Sequence, residues 1–279
     1  MKLNFTKMHG CGNDYVYFNC FEQPVEHPEE LAVRLSDRHF GIGGDGIILI
    51  CPSDTADAQM RIFNADGSEG KMCGNGIRCV GKYVYDNGIA KKPELRIDSL
   101  SGVKTLQMEI QNGIAVGATV DMGRAILKPS EIPTLLDGDR AVSVPILVDG
   151  REQRVTCVSM GNPHCIVFVD DVDGLDLPKI GPAFEHHELF PERINTEFIR
   201  VIDDHTLQMR VWERGSGETW ACGTGACASA VAAVLNGFCP KGEPITLHLR
   251  GGDLRIRYTD EAVYMTGPAT TVFEGSIEI

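Results

Sequence analysis

The sequence has no C-x2-C pair among its ten cysteines. Zinc knuckles and thioredoxin-like dithiols rely on that spacing, and Cys73/Cys79 and Cys222/Cys227 lie too far apart to replace it. A cluster of Lys and Arg is also missing. Basic residues number 26 against 39 acidic ones, giving a net charge of −13 and a pI of about 5.0. Nucleic acids and anionic membrane surfaces, which require basic patches, are therefore poor partners. Long apolar runs are absent too. The longest, Ala226 to Leu235, is about half a membrane span. Met1 to Lys7 contains no apolar signal-peptide core, so a cytoplasmic location is expected. Ten cysteines in such a chain do not form a disulfide framework, and most are expected to be inert core residues. The 279 residues are 43% apolar and 23% charged, an ordinary balance for a structured soluble protein long enough for two cores.

What the sequence does contain is an internal repeat. A shift of 149 positions places Gln59-Met60-Arg61-Ile62-Phe63-Asn64 on Gln208-Met209-Arg210-Val211-Trp212-Glu213. The same shift takes Gly12-Asn13 to Gly161-Asn162, Glu69 to Glu218, and Cys73-Gly74 to Cys222-Gly223. It also takes Gly76 to Gly225, Asn87-Gly88 to Asn236-Gly237, and Gly102 to Gly251. So many matches at one offset, concentrated on Gly, Asn and Cys, imply two structurally equivalent halves. The stretch from Leu127 to Asp149, rich in Pro, Asp and Gly, is expected to bridge them.

Each half reads alike. Tyr15 to Phe18, Gly46 to Ile50, Cys165 to Val169 and Glu197 to Val201 are expected strands, and the Gln-Met-Arg segments alternate like further ones. One helix is expected to start at each paired cysteine. Ile77, Val80 and Val84 line a face of the first, and Ala226, Ala230, Val231 and Val234 a face of the second. Asn-Gly ends both helices, and Asn112-Gly113 and Gly251-Gly252 signal hairpins. The expected fold class is α/β of the α+β kind. Two pseudo-symmetric domains each wrap a mostly antiparallel sheet around a central helix, and the halves face each other.

The paired cysteines sit in Cys73-Gly74-Asn75-Gly76 and Cys222-Gly223-Thr224-Gly225, at loop-to-helix junctions. A helix start offers unpaired N–H groups and a positive dipole end, and glycines let an anion approach the backbone. A thiolate there is expected to be stabilised and to act as a base near neutral pH. Two such ends around one α-carboxylate would put a sulfur on each face of the α-carbon. One sulfur removes the proton and the other returns one, which is stereoinversion. The helix ends would bind the charge that develops on the carboxylate. A lone Gly-flanked cysteine is more often structural, and a redox dithiol is a further alternative. The repeat favours the chemical pair because it makes the two positions equivalent. The other eight cysteines are expected in the core. Two thiols flanking one carbon also imply that oxidation inactivates the enzyme and reductant restores it.

The ordered motifs then resemble one family, the diaminopimelate epimerases. The resemblance rests on Met8-His9-Gly10-Cys11-Gly12-Asn13-Asp14, on Phe63-Asn64-Ala65-Asp66-Gly67-Ser68, and on Met72 through Cys79. It continues through Gly161-Asn162-Pro163-His164, Ile194-Asn195-Thr196-Glu197, Trp212-Glu213-Arg214-Gly215 and Ala221-Cys222-Gly223-Thr224-Gly225. It covers essentially the whole chain. It implies interconversion of LL- and meso-diaminopimelate in lysine and cell-wall precursor biosynthesis, without pyridoxal phosphate or metal, and a homodimer. It implies that Cys73 and Cys222 are the two bases, and that Gly74, Asn75, Gly223 and Thr224 grip the reacting carboxylate. Asn13, Asn64, Asn162, Asn195 and Arg214 would hold the distal amino-acid group. Glu213 would contact an ammonium, and His164 would sit beside the site. It also implies that the tail returns to the first domain, giving domains of 1–125 with 268–279, and 126–267, with the active site in the cleft between them. At Gly46 the chain departs from a common family pattern, because many members carry Gln there. One distal contact is therefore expected to be absent, on one half only.

The residues chosen for the distal end agree with their chemistry. Arg suits a carboxylate bidentately, whereas Asn and Glu suit an ammonium. Each asparagine also has a plain alternative as a turn former, and His164 a structural one. A proline-type racemase with the same cysteine pair is the nearest rival, and it would need no polar distal site. A thiol-redox or metal-binding protein and a pyridoxal-phosphate enzyme are further alternatives, and no motif in the sequence favours either.

Overall fold

Strands form where β-branched and aromatic residues run between Gly, Asn and Asp turns. The structure, a computed structural model, describes residues 2–279, and the chain divides into two units. The first comprises Met1–Asp121 with Thr266–Ile279, and the second Met122–Met265. The division falls a few residues before the expected ones because Met122 and Gly123 pair with Val263, inside the second unit.

The first unit runs β1 (Lys2–Gly10), β2 (Asn13–Asn19), α1 (Pro28–Ser36), β3 (Gly46–Cys51), β4 (Ala58–Asn64), β5 (Glu69–Gly70), α2 (Gly74–Asp86), β6 (Glu94–Asp98), β7 (Lys104–Gln111) and β8 (Ile114–Asp121). Most of its strand pairs are antiparallel. Two are parallel, β2 with β3 and β4 with β6. A parallel pair needs a crossover, and α1 and α2 supply the two. The sheet curls around α2, which packs against β1, β2, β4, β6, β7 and β8. Ile77, Cys79, Val80 and Val84 are fully buried on that helix. Burying an aliphatic side chain of this kind contributes about 1.5–3 kcal/mol.

The second unit repeats this plan with β9 (Val144–Val148), β10 (Arg151–Ser159), β11 (Pro163–Phe168), α3 (Leu177–Glu185), β12 (Asn195–Asp203), β13 (Thr206–Glu213), β14 (Gly217–Thr219), α4 (Gly223–Leu235), β15 (Pro244–Leu249) and β16 (Gly252–Tyr258). The parallel pairs are β11 with β12 and β13 with β15, bridged by α3 and α4. The offset that takes Cys73 to Cys222 carries α1 onto α3 and α2 onto α4 end for end. From Gly225 to Ala233 every residue of α4 is buried, as expected of a helix with no polar face. After β17 (Val263–Pro268), β18 (Thr270–Glu278) pairs antiparallel with β1, from Lys2–Glu278 to His9–Thr270.

Asn87-Gly88 and Asn236-Gly237 close α2 and α4, with both glycines in the left-handed region. Asn112 and Gly113 both have positive φ, which makes the β7–β8 hairpin the twisted kind that matches strand twist. The crossover helices α1 and α3 differ from the expectation of one helix per half. Each has nine residues and a proline in its first turn, so periodicity had little length in which to declare itself. No helix of the described residues is long and apolar enough to cross a membrane.

Candidate functional site

Cys73 is the N-cap of α2. Its backbone is extended and its sulfur accepts the Gly76 N–H at 3.3 Å. The Cys73 thiol donates to Asn13 Oδ1 at 3.2 Å, and Asn75 Nδ2 lies 3.4 Å from the same oxygen. Asn13 is held in turn by Asp45, whose Oδ2 accepts its Nδ2 at 2.6 Å. Asp45 and Asp14 share the Arg38 guanidinium at 3.0 and 2.7 Å. Behind the helix start, Arg78 is fully buried and donates to Gly74 O at 3.1 Å, Asn75 Oδ1 at 2.9 Å and Pro268 O at 3.2 Å. A cation is thus fixed in the turn that carries Cys73. The N–H groups of Gly74 and Asn75 have no intrahelical acceptor, as helix geometry requires of a first turn.

In the second unit Cys222 caps α4 in the same way. Gly225 N donates to its sulfur at 3.4 Å, and Thr224 Oγ1 lies 3.5 Å from it. Its other neighbours differ. The Glu213 carboxylate accepts from Thr219 Oγ1 and from the Cys222 thiol. His164 hydrogen-bonds Glu197 Oε1 through Nδ1 at 2.7 Å and Asn162 Oδ1 through Nε2 at 3.1 Å.

The sequence led us to expect a stabilised thiolate at each helix start, and the structure corrects this. Burial pushes the Cys73 thiol up, against the pull of the Gly76 and Asn75 N–H groups, the Tyr15 hydroxyl and the Arg78 guanidinium. Cys222 is pushed well above the usual thiol range. Burial acts first and the Glu213 and Glu197 carboxylates add to it, against the Thr224 hydroxyl and the Gly225 N–H. Desolvation outweighs the helix end in both units. Facing carboxylates add to the effect of burial at Cys222 and are not among the main influences at Cys73, which is also the more exposed sulfur. Iodoacetamide near pH 8 is expected to modify Cys73 several-fold faster than Cys222, because a larger fraction of it is thiolate and it is the more exposed sulfur. Peptide mass spectrometry against time checks this, and equal rates would remove the electrostatic distinction.

The remaining expected site residues divide by what already holds them. Asn64 Nδ2 donates to Ser68 Oγ at 3.0 Å, and its backbone opens the turn through Gly67. Asn195 has both ends of its amide engaged, donating to Pro163 O at 2.8 Å and accepting from Arg214 N at 2.9 Å. It thereby ties the Arg214 turn to the His164 strand. The Arg214 side chain reaches Glu192 O at 2.8 Å. Gly46 leaves no space for a side chain, because a Cβ there would meet Phe63 O at 2.1 Å. Among the other cysteines, Cys11, Cys79, Cys157, Cys165, Cys227 and Cys239 are buried as expected. Cys20 and Cys51 are not: both are half-buried and in thiol–thiol contact, where the end of β2 meets β3. Glu197, Asp45 and Arg78 are site neighbours to which no motif in the sequence assigns a role. The signal for Glu197 was a lone charge inside an otherwise unbroken buried strand segment, Asn195 to Ile199.

The sequence matches the family model described as diaminopimelate epimerase over residues 5–128 and 156–272. It is 57% identical to the diaminopimelate epimerase of Acetivibrio thermocellus, with 99% of each chain covered. It is 56% identical to that of Desulfovibrio desulfuricans, again with 99% of each covered. Among solved structures the fold resembles a hydroxyproline epimerase from Agrobacterium vitis, with a TM-score of 0.69 at 14% identity, covering 99% of this chain and 91% of that one.

Proposed function

The chain belongs to the diaminopimelate epimerase family, and on that premise we propose that it inverts one α-carbon of diaminopimelate, LL to meso, with Cys73 and Cys222 as the two bases. The observation that carries this is the pair of equivalent N-caps, each a cysteine whose sulfur accepts the N–H three residues on. A thiolate on one face takes the α-proton, and the C–H electron pair moves into the α-carboxylate. The thiol on the other face then gives its proton to the carbon. The backbone N–H groups of Gly74, Asn75, Gly223 and Thr224 receive the charge that grows on the carboxylate, so the transition state is bound better than the substrate. Both thiols are held up in the free protein, and a substrate α-ammonium brought beside them supplies the opposing charge that favours the thiolate. Neither pyridoxal phosphate nor a metal has a step in this scheme.

Arg214 with Asn13, Asn64, Asn162 and Asn195 is assigned to the distal end, and Glu213 to an ammonium. Here Asn13 and Asn195 act by fixing neighbours, namely the Cys73 thiol and the Arg214 backbone. A homodimer and a cytoplasmic location are part of the same proposal, the first implied by the family. The test is deuterium entry at the α-carbon of LL-diaminopimelate in D2O, without added cofactor, followed by NMR. Exchange with inversion supports the proposal. Exchange with proline alone keeps the mechanism and changes the substrate, and no exchange with any amino acid rejects the catalytic reading.

A further inference from the structure

The repeat that makes Cys73 and Cys222 equivalent is broken in the residues around them. The same offset takes Tyr15 to His164, Ile48 to Glu197 and Asn64 to Glu213. The substitution is also spatial. A Cβ on Gly76 would meet Ile48 Cδ1 at 2.7 Å, whereas a Cβ on Gly225 would meet Glu197 Oε1 at 2.4 Å. A carboxylate thus occupies, under the start of α4, the place that an isoleucine occupies under the start of α2. Glu197 and His164 are both 0% exposed, and Glu197 Oε2 has no hydrogen-bond partner. A buried carboxylate with an unpaired oxygen opposes folding, and local rules of this kind are broken mainly where function requires it.

We propose that Glu197 is a positioning residue that orients His164 through Nδ1 and keeps the proton on Cys222. This rests on the two-cysteine reading above. The charged and titratable groups facing the Cys222 sulfur are Glu213 from β13 and Glu197 from β12, with His164 from β11 against Glu197. Its own helix offers only the Thr224 hydroxyl and the Gly225 N–H. Two carboxylates therefore oppose a thiolate on Cys222, while no carboxylate is among the main influences on Cys73. An enzyme that needs one thiolate and one thiol loses activity when the second proton leaves, which sets the alkaline limb of its pH profile.

Glu197→Gln keeps the size and an acceptor for His164 but removes the charge. Cys222 is then expected to lose its proton at lower pH. Its iodoacetamide labelling at pH 8 should rise several-fold, that of Cys73 should stay unchanged, and the alkaline limb of kcat/KM should move to lower pH. Glu197→Asp, which retains the charge, should keep the wild-type labelling ratio. Unchanged Cys222 labelling and an unchanged alkaline limb in folded Glu197→Gln would overturn the proposal. So would wild-type protein in which Cys222 labels as readily as Cys73, a measurement that does not depend on any variant folding. Labelling needs no turnover, so it fails or succeeds separately from the exchange experiment that judges the two-cysteine reading itself.

Discussion

Cys73→Ala and Cys222→Ala are each expected to lower inversion of LL-diaminopimelate by about 10³-fold, since a positioned general acid or base is worth about 10²–10⁴. The structural cost of the same changes is much smaller. Each sulfur accepts one helix N-terminal N–H, from Gly76 or Gly225, and losing a cap costs roughly 0.5–2 kcal/mol. A factor of 10³ in rate corresponds to about 4 kcal/mol of barrier. The variants should therefore be folded, slightly less stable and nearly inactive. Circular dichroism beside the D2O exchange assay separates the two effects. A folded variant that still inverts the α-carbon removes its cysteine from the mechanism.

Gly46→Gln should be the most destabilising change among the site positions. The substitution installs the side chain that many relatives are expected to carry, and the local backbone has no room for it. Gly46 opens β3 and is locked on both sides, paired with Tyr15 of β2 and with Asn64 of β4. A Cβ would lie 2.1 Å from Phe63 O, 3.0 Å from Tyr15 Cε1 and 3.1 Å from Asn64 Cα. Two of those three atoms are backbone and cannot turn aside. Overpacking of this kind costs about 1–3 kcal/mol and occasionally more. Restricting the unfolded chain by replacing Gly returns only about 0.4–1 kcal/mol, so the clash dominates. A net cost of about 2 kcal/mol corresponds to a loss of Tm of about 4–8 °C. Gly46→Ala should show most of it, because the conflict begins at Cβ. A Gln variant as stable as wild type, with tighter substrate binding, would mean that the position is an open pocket wall instead.

The sequence by itself determined the duplication, the two central helices and their Asn-Gly ends, the Asn112-Gly113 hairpin and the placement of Cys73 and Cys222 at helix starts. Each of these is written locally. A repeat offset, a helical face, a cap or a turn residue acts within a few positions of itself, and α2 and α4 fall where Cys-Gly-x-Gly and Asn-Gly bracket them. Other features were decided only in three dimensions. The parallel pairs β2–β3 and β11–β12, with short crossovers α1 and α3, join segments far apart in the chain. The acidity of the thiols reversed the expectation for the same reason. A helix end can be read from the local sequence, but desolvation and the facing charges are sums over everything that packs nearby. Glu197 makes the point most directly. In the sequence it is one acid in a strand. Folding sets it against His164 at 2.7 Å and beneath Gly225, and only there does its charge reach Cys222.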